Sequence, residues 1–214
     1  MSADTVDRLD FEKGGGLVPV IAQHWLTGEV LMLGYATKEA LDTSLETGQL
    51  TFHSRSRDAL WTKGETSGNT LRVVSLHGDC DGDAVLARVH PAGPTCHTGS
   101  RSCFSAPPTL RGLADTLEDR RAAMDARAGD RATRPDPSSS SYTVRLLGDR
   151  NLRLKKLGEE ATELALACAD GDAERVREEA ADVVYHTLVA ALAAGVDVDG
   201  ILEALEARRA PADG

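Results

Sequence analysis

The chain has 214 residues, enough for one large or two small domains, with 41% hydrophobic but only 4% aromatic residues. Its formal net charge of −10 argues against a nucleic-acid-binding protein, because such a protein needs a basic face for the phosphates. The opening MSADTVDRLDFEKGGG lacks the basic start and apolar run of a signal peptide. The longest apolar stretch, 183–196, falls short of the roughly 20 residues of a membrane span. We therefore expect a cytoplasmic protein that binds neither nucleic acid nor membranes.

The first half of the chain alternates short apolar runs with turn signals. One segment, 37–48, is typical of a helix, with Thr37 as the N-cap and Gly48 at the C-cap. The other runs have the β-branched content or the two-residue alternation of strands, which predicts a strand-rich α+β domain. The predicted strands lie within 16–25, 28–36, 48–56, 70–78 and 84–91.

Pro107 and Pro108 mark a boundary, because paired prolines break both helices and strands. We predict one domain over 1–108 and an all-helical one over 109–214, in which apolar residues recur at helical spacing. The stretch 129–141 is a polar loop rich in proline and serine; we expect it to be mobile and assign it no function. The predicted helices are 110–129, 150–171, 172–195 and 197–209.

Cys80 lies inside a run of three aspartates, Asp79, Asp81 and Asp83. Along an extended strand the aspartates would point to one face and the cysteine to the other. Carboxylates suit Mg²⁺ and a thiolate suits Zn²⁺, so one short strand would present a ligand set to each metal. A calcium loop is excluded, because the chain lacks the glycine and the glutamate that such a loop requires at its sixth and twelfth positions.

The four cysteines of a cytosolic chain are more typical of metal ligands or core residues than of disulfides. Cys168 stands alone at helical spacing from Leu164, and we predict that it is a buried, small hydrophobic residue. The other three, Cys80, Cys96 and Cys103, cluster along the chain. Three thiolates are one ligand short of a closed structural zinc site.

Three interpretations of this cluster are open: unrelated buried cysteines, a structural zinc site closed by His97, or a catalytic zinc site whose fourth position holds water. We favour the catalytic site, because chelation by both Cys96 and its neighbour His97 would be sterically strained. Zinc lowers the pKa of a bound water to about 7. His97 would then be free to act as the general base on that water.

Three long motifs occur in order in this half, namely SRSRDALWTKGETSGN, DCDGDAVL and GPTCHTGSRSCF. Over roughly residues 9–104 the chain closely resembles the phosphoribosyl-AMP cyclohydrolase family. The resemblance implies hydrolytic opening of an adenine ring between N1 and C6, the third step of histidine biosynthesis. It also implies a homodimer with zinc bound at the interface, and a magnesium site. The implied zinc ligands are Cys80, Cys96 and Cys103, and the implied magnesium ligands are Asp79, Asp81 and Asp83.

The segments HSRSR and KGETSG look like the substrate-facing loops of that family. Arg55, Arg57 and Lys63 are candidates to pair with phosphates, and Thr66 and Ser67 to donate hydroxyl hydrogen bonds. Without the resemblance, an exposed polar hairpin would be the better interpretation.

The helical half carries two sets of carboxylates. Glu159, Glu160 and Glu163 lie within one turn of a predicted helix, and Glu179 and Asp182 share a face of the next one. If the helices face each other, these side chains form a cage of oxygen ligands suited to Mg²⁺. A solvated charged face is the competing interpretation, and taken alone the first set favours it.

The motifs SYTVRLLGDRN, KKLGEEATEL and EEAADVVYHTLV lie in the same half. From about residue 110 to 208 they resemble phosphoribosyl-ATP pyrophosphatase, a relative of the all-α nucleotide pyrophosphohydrolases. The resemblance implies hydrolysis of the α–β phosphoanhydride, with Mg²⁺ held by the five carboxylates. Lys155 and Lys156 are candidates to neutralise phosphate charge, although both could be ordinary surface lysines.

Together these observations predict a bifunctional hydrolase for steps two and three of histidine biosynthesis. The helical half would release pyrophosphate to give phosphoribosyl-AMP, and the strand-rich half would open its ring. The alternative is a zinc-stabilised nucleotide-binding or regulatory protein in which one site or neither is active.

Overall fold

The computed structural model describes residues 4–128 and 141–209, so most of the predicted loop over 129–141 lies outside the described residues. The chain forms two compact units, residues 1–108 and 109–214. The first is strand-rich and the second is helical, which confirms the predicted fold class. No helix in the described ranges has both the length and the apolar character required to cross a bilayer.

The N-terminal unit is built on a four-stranded sheet of order β2-β1-β6-β5 and a separate β3-β4 ribbon. β1 pairs in parallel with β6, whereas β1 with β2, β5 with β6 and β3 with β4 are antiparallel. Its elements are α1 (Asp4–Asp7), β1 (Val18–His24), β2 (Val30–Ala36), α2 (Lys38–Thr47), β3 (Thr51–Ser54), β4 (Ala59–Thr62), β5 (Leu71–Gly78) and β6 (Val85–Pro91).

The core of this unit follows from alternation along the strands. In β1 every second residue from Val18 to Ala22 is fully buried, and in β6 the same holds from Val85 to Val89. The two strands are neighbours, so their buried residues form one apolar face, against which Phe52 of β3 also packs.

Helix α2 begins and ends where the sequence predicts. The Thr37 side chain accepts a hydrogen bond from the backbone N–H of Ala40, and Gly48 adopts the left-handed conformation at φ 70°. Strand β4 was not among the predicted strands, because its four residues lie inside a motif that the sequence presents as a polar loop.

The prediction of a strand over 79–83 is wrong. β5 ends at Gly78, and the aspartates lie on the connection to β6, where Gly82 has φ 75°. Asp79 Oδ1 accepts hydrogen bonds from the backbone N–H groups of Asp83 and Ala84, which folds the segment into a turn. A turn brings the aspartates together by curling the backbone, instead of by strand alternation.

The described part of the C-terminal unit has five helices: α3 (Thr109–Ala128), α4 (Tyr142–Gly148), α5 (Arg150–Asp170), α6 (Ala173–Ala193) and α7 (Val198–Arg209). Gly171 at φ 70° ends α5, and the Asp172 side chain caps α6, so only two residues separate the long helices. This short connection folds α6 back along α5. Buried Leu117, Leu146 and Val189 join α3, α4 and α6 in the core.

Two details of this unit differ from expectation. The short helix α4 was not predicted; Ser141 caps it, and Asp149 then starts α5 as a separate helix. Cys168 is exposed, so the prediction of a buried residue is wrong. Helical spacing from Leu164 places Cys168 near the same face as that residue, but among the described residues Leu164 is only partly buried and Cys168 is exposed.

Candidate functional sites

A cleft of about 570 Å³ opens between the β3-β4 hairpin region and the loop that carries two of the predicted zinc ligands. It brings together most of the residues that the sequence singled out in this half. Those lining it are Arg57, Lys63, Thr66, Ser67, Cys96, His97 and Cys103. The cleft therefore has cationic and hydroxyl groups on one side and thiols with an imidazole on the other.

Arg55 is placed differently from the other predicted substrate contacts. Its guanidinium lies 4.0 Å from the ring centroid of Tyr35, in a cation–π arrangement, and it is not among the residues that line the cleft. Trp61 is a lining residue that sequence reasoning missed. It stacks on the buried Phe52 with ring centroids 5.2 Å apart, and its only signal was an aromatic residue within a polar motif.

The loop 95–103 is held by its own backbone and by β2. The N–H of Thr95 donates to Arg101 O and the N–H of Cys96 to Ser100 O, while the N–H of Cys103 donates to Leu31 O at 2.8 Å. These bonds bring Cys96 and Cys103 close enough for a contact between their thiols. The fold thus forms a two-cysteine site beside the cleft.

The two thiols differ in acidity. The Thr98 hydroxyl donates to Cys96 Sγ at 3.1 Å, and this hydrogen bond lowers the pKa of Cys96. Burial, followed by the neighbouring Cys96, raises the pKa of Cys103. His97 is exposed, with Nδ1 3.9 Å from Cys96 Sγ. Cys96 is therefore the more acidic thiol of the pair. The His97 imidazole remains accessible from the cleft.

The third predicted zinc ligand lies elsewhere in the chain. Cys80 is exposed on the turn after β5, and among the described residues no group of three close ligand atoms includes it. Three thiolates are a donor set that suits Zn²⁺. Within the described part of one chain, however, Cys96 and Cys103 are the two cysteines that lie together.

Oxygens of Asp79, Asp81 and Asp83 lie within 4.8 Å of one another, a donor type and spacing that fit Mg²⁺. Lys13 already faces this group, with Nζ 2.6 Å from Asp81 and 2.5 Å from Asp83. The ammonium lowers the pKa of Asp81, and the hydrogen bonds to the aspartates raise the pKa of Lys13. This ion pair was not predicted from the sequence, because Lys13 and Asp81 are 68 residues apart along the chain.

The helical unit brings carboxylates of two helices together. Oxygens of Glu160 on α5 and of Glu179 and Asp182 on α6 lie within 4.8 Å of one another. The pKa of Glu163 is raised, first by the charge of Glu160, then by desolvation and by the charge of Glu179, so this carboxylate adjoins the same group. Repulsion among carboxylates is what a divalent cation would relieve, and the residues fit Mg²⁺.

Glu159 and the two predicted phosphate-binding lysines form a flank of this cluster. Lys155 and Lys156 approach Glu159 at 3.2 and 3.3 Å and lower its pKa. Lys156 also donates to Glu160 Oε1 at 3.1 Å, whereas the Lys155 side chain is 70% exposed. Of the two lysines, only Lys156 contacts the three-carboxylate group.

Comparison with known proteins matches each unit separately. Residues 32–105 match the family model of phosphoribosyl-AMP cyclohydrolase, and residues 127–209 match that of phosphoribosyl-ATP pyrophosphohydrolase. The histidine biosynthesis bifunctional protein HisIE of Escherichia coli (strain K12) is 45% identical over 206 residues, which is 94% of this chain and 95% of the relative. The protein of the same name from Photorhabdus laumondii is 40% identical over 209 residues, or 97% and 100% of the two chains. That from Vibrio vulnificus (strain CMCP6) is 41% identical over 203 residues, or 94% and 93%.

Proposed function

The chain belongs to the family of bifunctional histidine biosynthesis proteins that join a phosphoribosyl-AMP cyclohydrolase domain to a phosphoribosyl-ATP pyrophosphohydrolase domain, and on this basis we propose that its two sites act in sequence. The helical unit hydrolyses phosphoribosyl-ATP to phosphoribosyl-AMP and pyrophosphate, and the strand-rich unit opens the adenine ring of that product. The observation that carries the proposal is that each family-matched unit has its own cluster of candidate site residues. Family membership supports a hydrolase over the alternative of a binding or regulatory protein.

In the strand-rich unit, the cleft residues divide between binding and proton transfer. The cationic side chains of Arg57 and Lys63 pair with phosphate, and the Thr66 and Ser67 hydroxyls donate to oxygens of the substrate. His97 accepts the proton of the attacking water on an imidazole nitrogen, because it lies in the cleft beside the thiol pair. When bound, zinc would supply the Lewis acidity that activates water near neutral pH.

A zinc site shared between two subunits would account for the position of Cys80, which lies apart from Cys96 and Cys103 in one chain. Cys96 and Cys103 of one subunit would be joined by the partner's Cys80, which is exposed on its turn. Exposed apolar side chains on and near β2 and the cysteine loop support this dimer: Val30 is 38% exposed, and Leu33 and Phe104 are each 45% exposed. A reducing compartment such as the cytoplasm would keep the three thiols free for the metal.

In the helical unit, Glu160, Glu163, Glu179 and Asp182 would hold Mg²⁺, and Lys156 would face the phosphates of the substrate beside them. The bound cation would neutralise phosphate charge and orient the attacking water. Glu159 keeps Lys155 and Lys156 aligned along one side of α5.

The test is to incubate the protein with phosphoribosyl-ATP and Mg²⁺ while following pyrophosphate and the ring-opened product separately. We expect both products, with pyrophosphate appearing first. Glu163→Gln and Glu179→Gln should abolish pyrophosphate release and leave ring opening of supplied phosphoribosyl-AMP intact. Loss of both activities in a folded variant would contradict two independent sites.

A further inference from the structure

His186 is a buried titratable residue for which the proposed reaction has no role so far. It lies on α6 with 3% exposure, and its Nε2 is 3.9 Å from Oε1 of Glu160. Glu160 is itself only 6% exposed, and the same oxygen accepts the hydrogen bond from Lys156. The imidazole thus faces the one buried member of the carboxylate cluster, from the opposite helix.

The orientation of this ring is fixed by its neighbours. Tyr142 of α4 and Tyr185 of α6 both meet it edge-on at 84°, with ring centroids 5.9 and 5.1 Å away. The Tyr185 hydroxyl is in turn 2.8 Å from the Thr143 hydroxyl of α4. Packing from two helices therefore directs Nε2 at α5, independently of any cation.

The hydrogen-bonding capacity of the two side chains determines which tautomer this geometry favours. A carboxylate only accepts, so the nitrogen that faces Glu160 must carry the hydrogen. Nδ1 is then left as an acceptor, and it is buried without a hydrogen-bond partner among the described residues. An unsatisfied buried acceptor costs free energy. Among the described residues, the contact with Glu160 is the polar contact that the ring makes, in addition to its edge-on contacts with the two tyrosines.

We propose that His186 is a positioning residue for the magnesium site of the helical unit. Its Nε2–H restrains the Glu160 carboxylate, so that it stays turned toward Glu179 and Asp182 against their charge repulsion. The separation of 3.9 Å exceeds a hydrogen bond, and such contacts often tighten only in the loaded complex. The inference rests on the proposed function of this unit, in which the cluster holds Mg²⁺. Groups that orient metal ligands in this way typically contribute 10–100-fold to metal affinity.

Three substitutions separate positioning from packing. His186→Gln keeps an N–H near the place of Nε2, His186→Asn moves it toward the place of Nδ1, and His186→Phe keeps a ring but no donor. Val189→Ala, a buried change one turn further along α6, is the control for lost packing alone. Each is made in the full chain with Asp81→Asn and Asp83→Asn, which remove the other candidate cation site.

The first measurement is Mn²⁺ binding by electron paramagnetic resonance, with helical content checked by circular dichroism. The second is the Mg²⁺ concentration for half-maximal pyrophosphate release. We expect His186→Phe and His186→Asn to weaken cation binding about 10–100-fold, and His186→Gln to restore most of it. Val189→Ala should lower thermal stability and leave cation binding unchanged.

Unchanged binding in His186→Phe, or equal losses in His186→Gln and His186→Phe, would overturn the positioning role. A failure of the proposed function would give another result, because the wild-type protein would then release no pyrophosphate. The Mn²⁺ affinities of the variants could still be compared, and they would decide the role of His186.

Discussion

The Glu29 carboxylate accepts a hydrogen bond from Arg101 Nε at 2.6 Å, and the two ends of this ion pair differ sharply in exposure. The Glu29 side chain is 3% exposed and that of Arg101 is 40% exposed. Arg101 lies between Cys96 and Cys103, so the pair ties the cysteine loop to the turn before β2. A nearby hydrogen bond from the Ser102 hydroxyl to Val30 O strengthens the same attachment.

This difference in exposure predicts that Arg101→Ala and Glu29→Ala lower the free energy of unfolding by different amounts. Arg101→Ala leaves a buried carboxylate without this partner, and an unsatisfied buried polar group typically costs about 1–3 kcal/mol, more when it is charged. Glu29→Ala leaves a guanidinium that is already partly hydrated, and it should cost less. Both tryptophans, Trp25 and Trp61, lie in the N-terminal unit, so urea unfolding followed by their fluorescence reports on this unit.

The control is Asp42→Asn, which breaks an exposed ion pair with Lys38 and should change stability by less than about 1 kcal/mol. Equal losses for Arg101→Ala and Glu29→Ala would show that the pair acts through loop packing instead of through the buried charge. Both Arg101→Ala and Glu29→Ala should also retain less zinc than the control after dialysis, because the ion pair holds the loop that carries two of the proposed ligands.

Lys13 gives the second prediction. Its ammonium bridges Asp81 and Asp83, so a cation that binds the aspartates must displace it. Lys13→Met should therefore lower the Mg²⁺ concentration needed for ring opening of supplied phosphoribosyl-AMP. The measurement is a Mg²⁺ titration of that activity, which does not depend on the helical site.

Lys38→Met is a matched control, since Lys38 also bridges two aspartates, Asp7 and Asp42, on the same unit. We expect its Mg²⁺ requirement to equal that of the wild type. A higher Mg²⁺ requirement in Lys13→Met would mean that the lysine supports the site instead of competing with the cation.

The sequence predicted the local features of the N-terminal unit but not its long-range contacts. Local signals placed α2 and its caps, because the capping residues lie within one turn of the residues they serve. The three aspartates were grouped correctly although the backbone under them was predicted wrongly, since both a strand and a turn bring alternate residues together. Lys13 and Glu29 were missed because each finds its partner through the tertiary fold, 68 and 72 residues away along the chain.

The same reasoning explains the helical site. Spacing along each helix predicted which carboxylates share a face, and the two-residue turn between α5 and α6 brings those faces together. Spacing could not decide between Glu159 and Glu160, because they precede Glu163 by four and three residues and either can share its face. The structure directs Glu159 to the lysines and buries Glu160 against α6.

The third prediction concerns the shared zinc site. Cys80→Ser and Cys96→Ser homodimers should each lack zinc and ring-opening activity, because each removes a ligand from both sites. In a mixed dimer one site carries both changes and the other carries neither. Random mixing in a symmetric dimer should thus restore about a quarter of the wild-type activity and zinc.

Subunits are mixed by denaturing and refolding the two variants together, with zinc measured by elemental analysis. Mixing Cys96→Ser with Cys103→Ser is the control, because both ligands lie on the same loop and no site in that mixture is complete. Full zinc retention in Cys80→Ser alone would remove this residue from the ligand set. No recovery in the first mixture would refute sharing between subunits.

The last prediction separates the roles open to His97. Its imidazole is exposed in the cleft next to Cys96, and no three-residue ligand group among the described residues includes it. Histidine is suited to proton transfer near neutral pH, so His97→Ala should keep zinc and lower the turnover of ring opening by roughly 10²–10⁴-fold. Pyrophosphate release, measured in the same samples, should not change, because it takes place in the other unit. A variant that loses its zinc would identify His97 as a fourth ligand. A variant that keeps both zinc and turnover would exclude His97 as the general base and leave Asp79, Asp81 and Asp83 as the candidates.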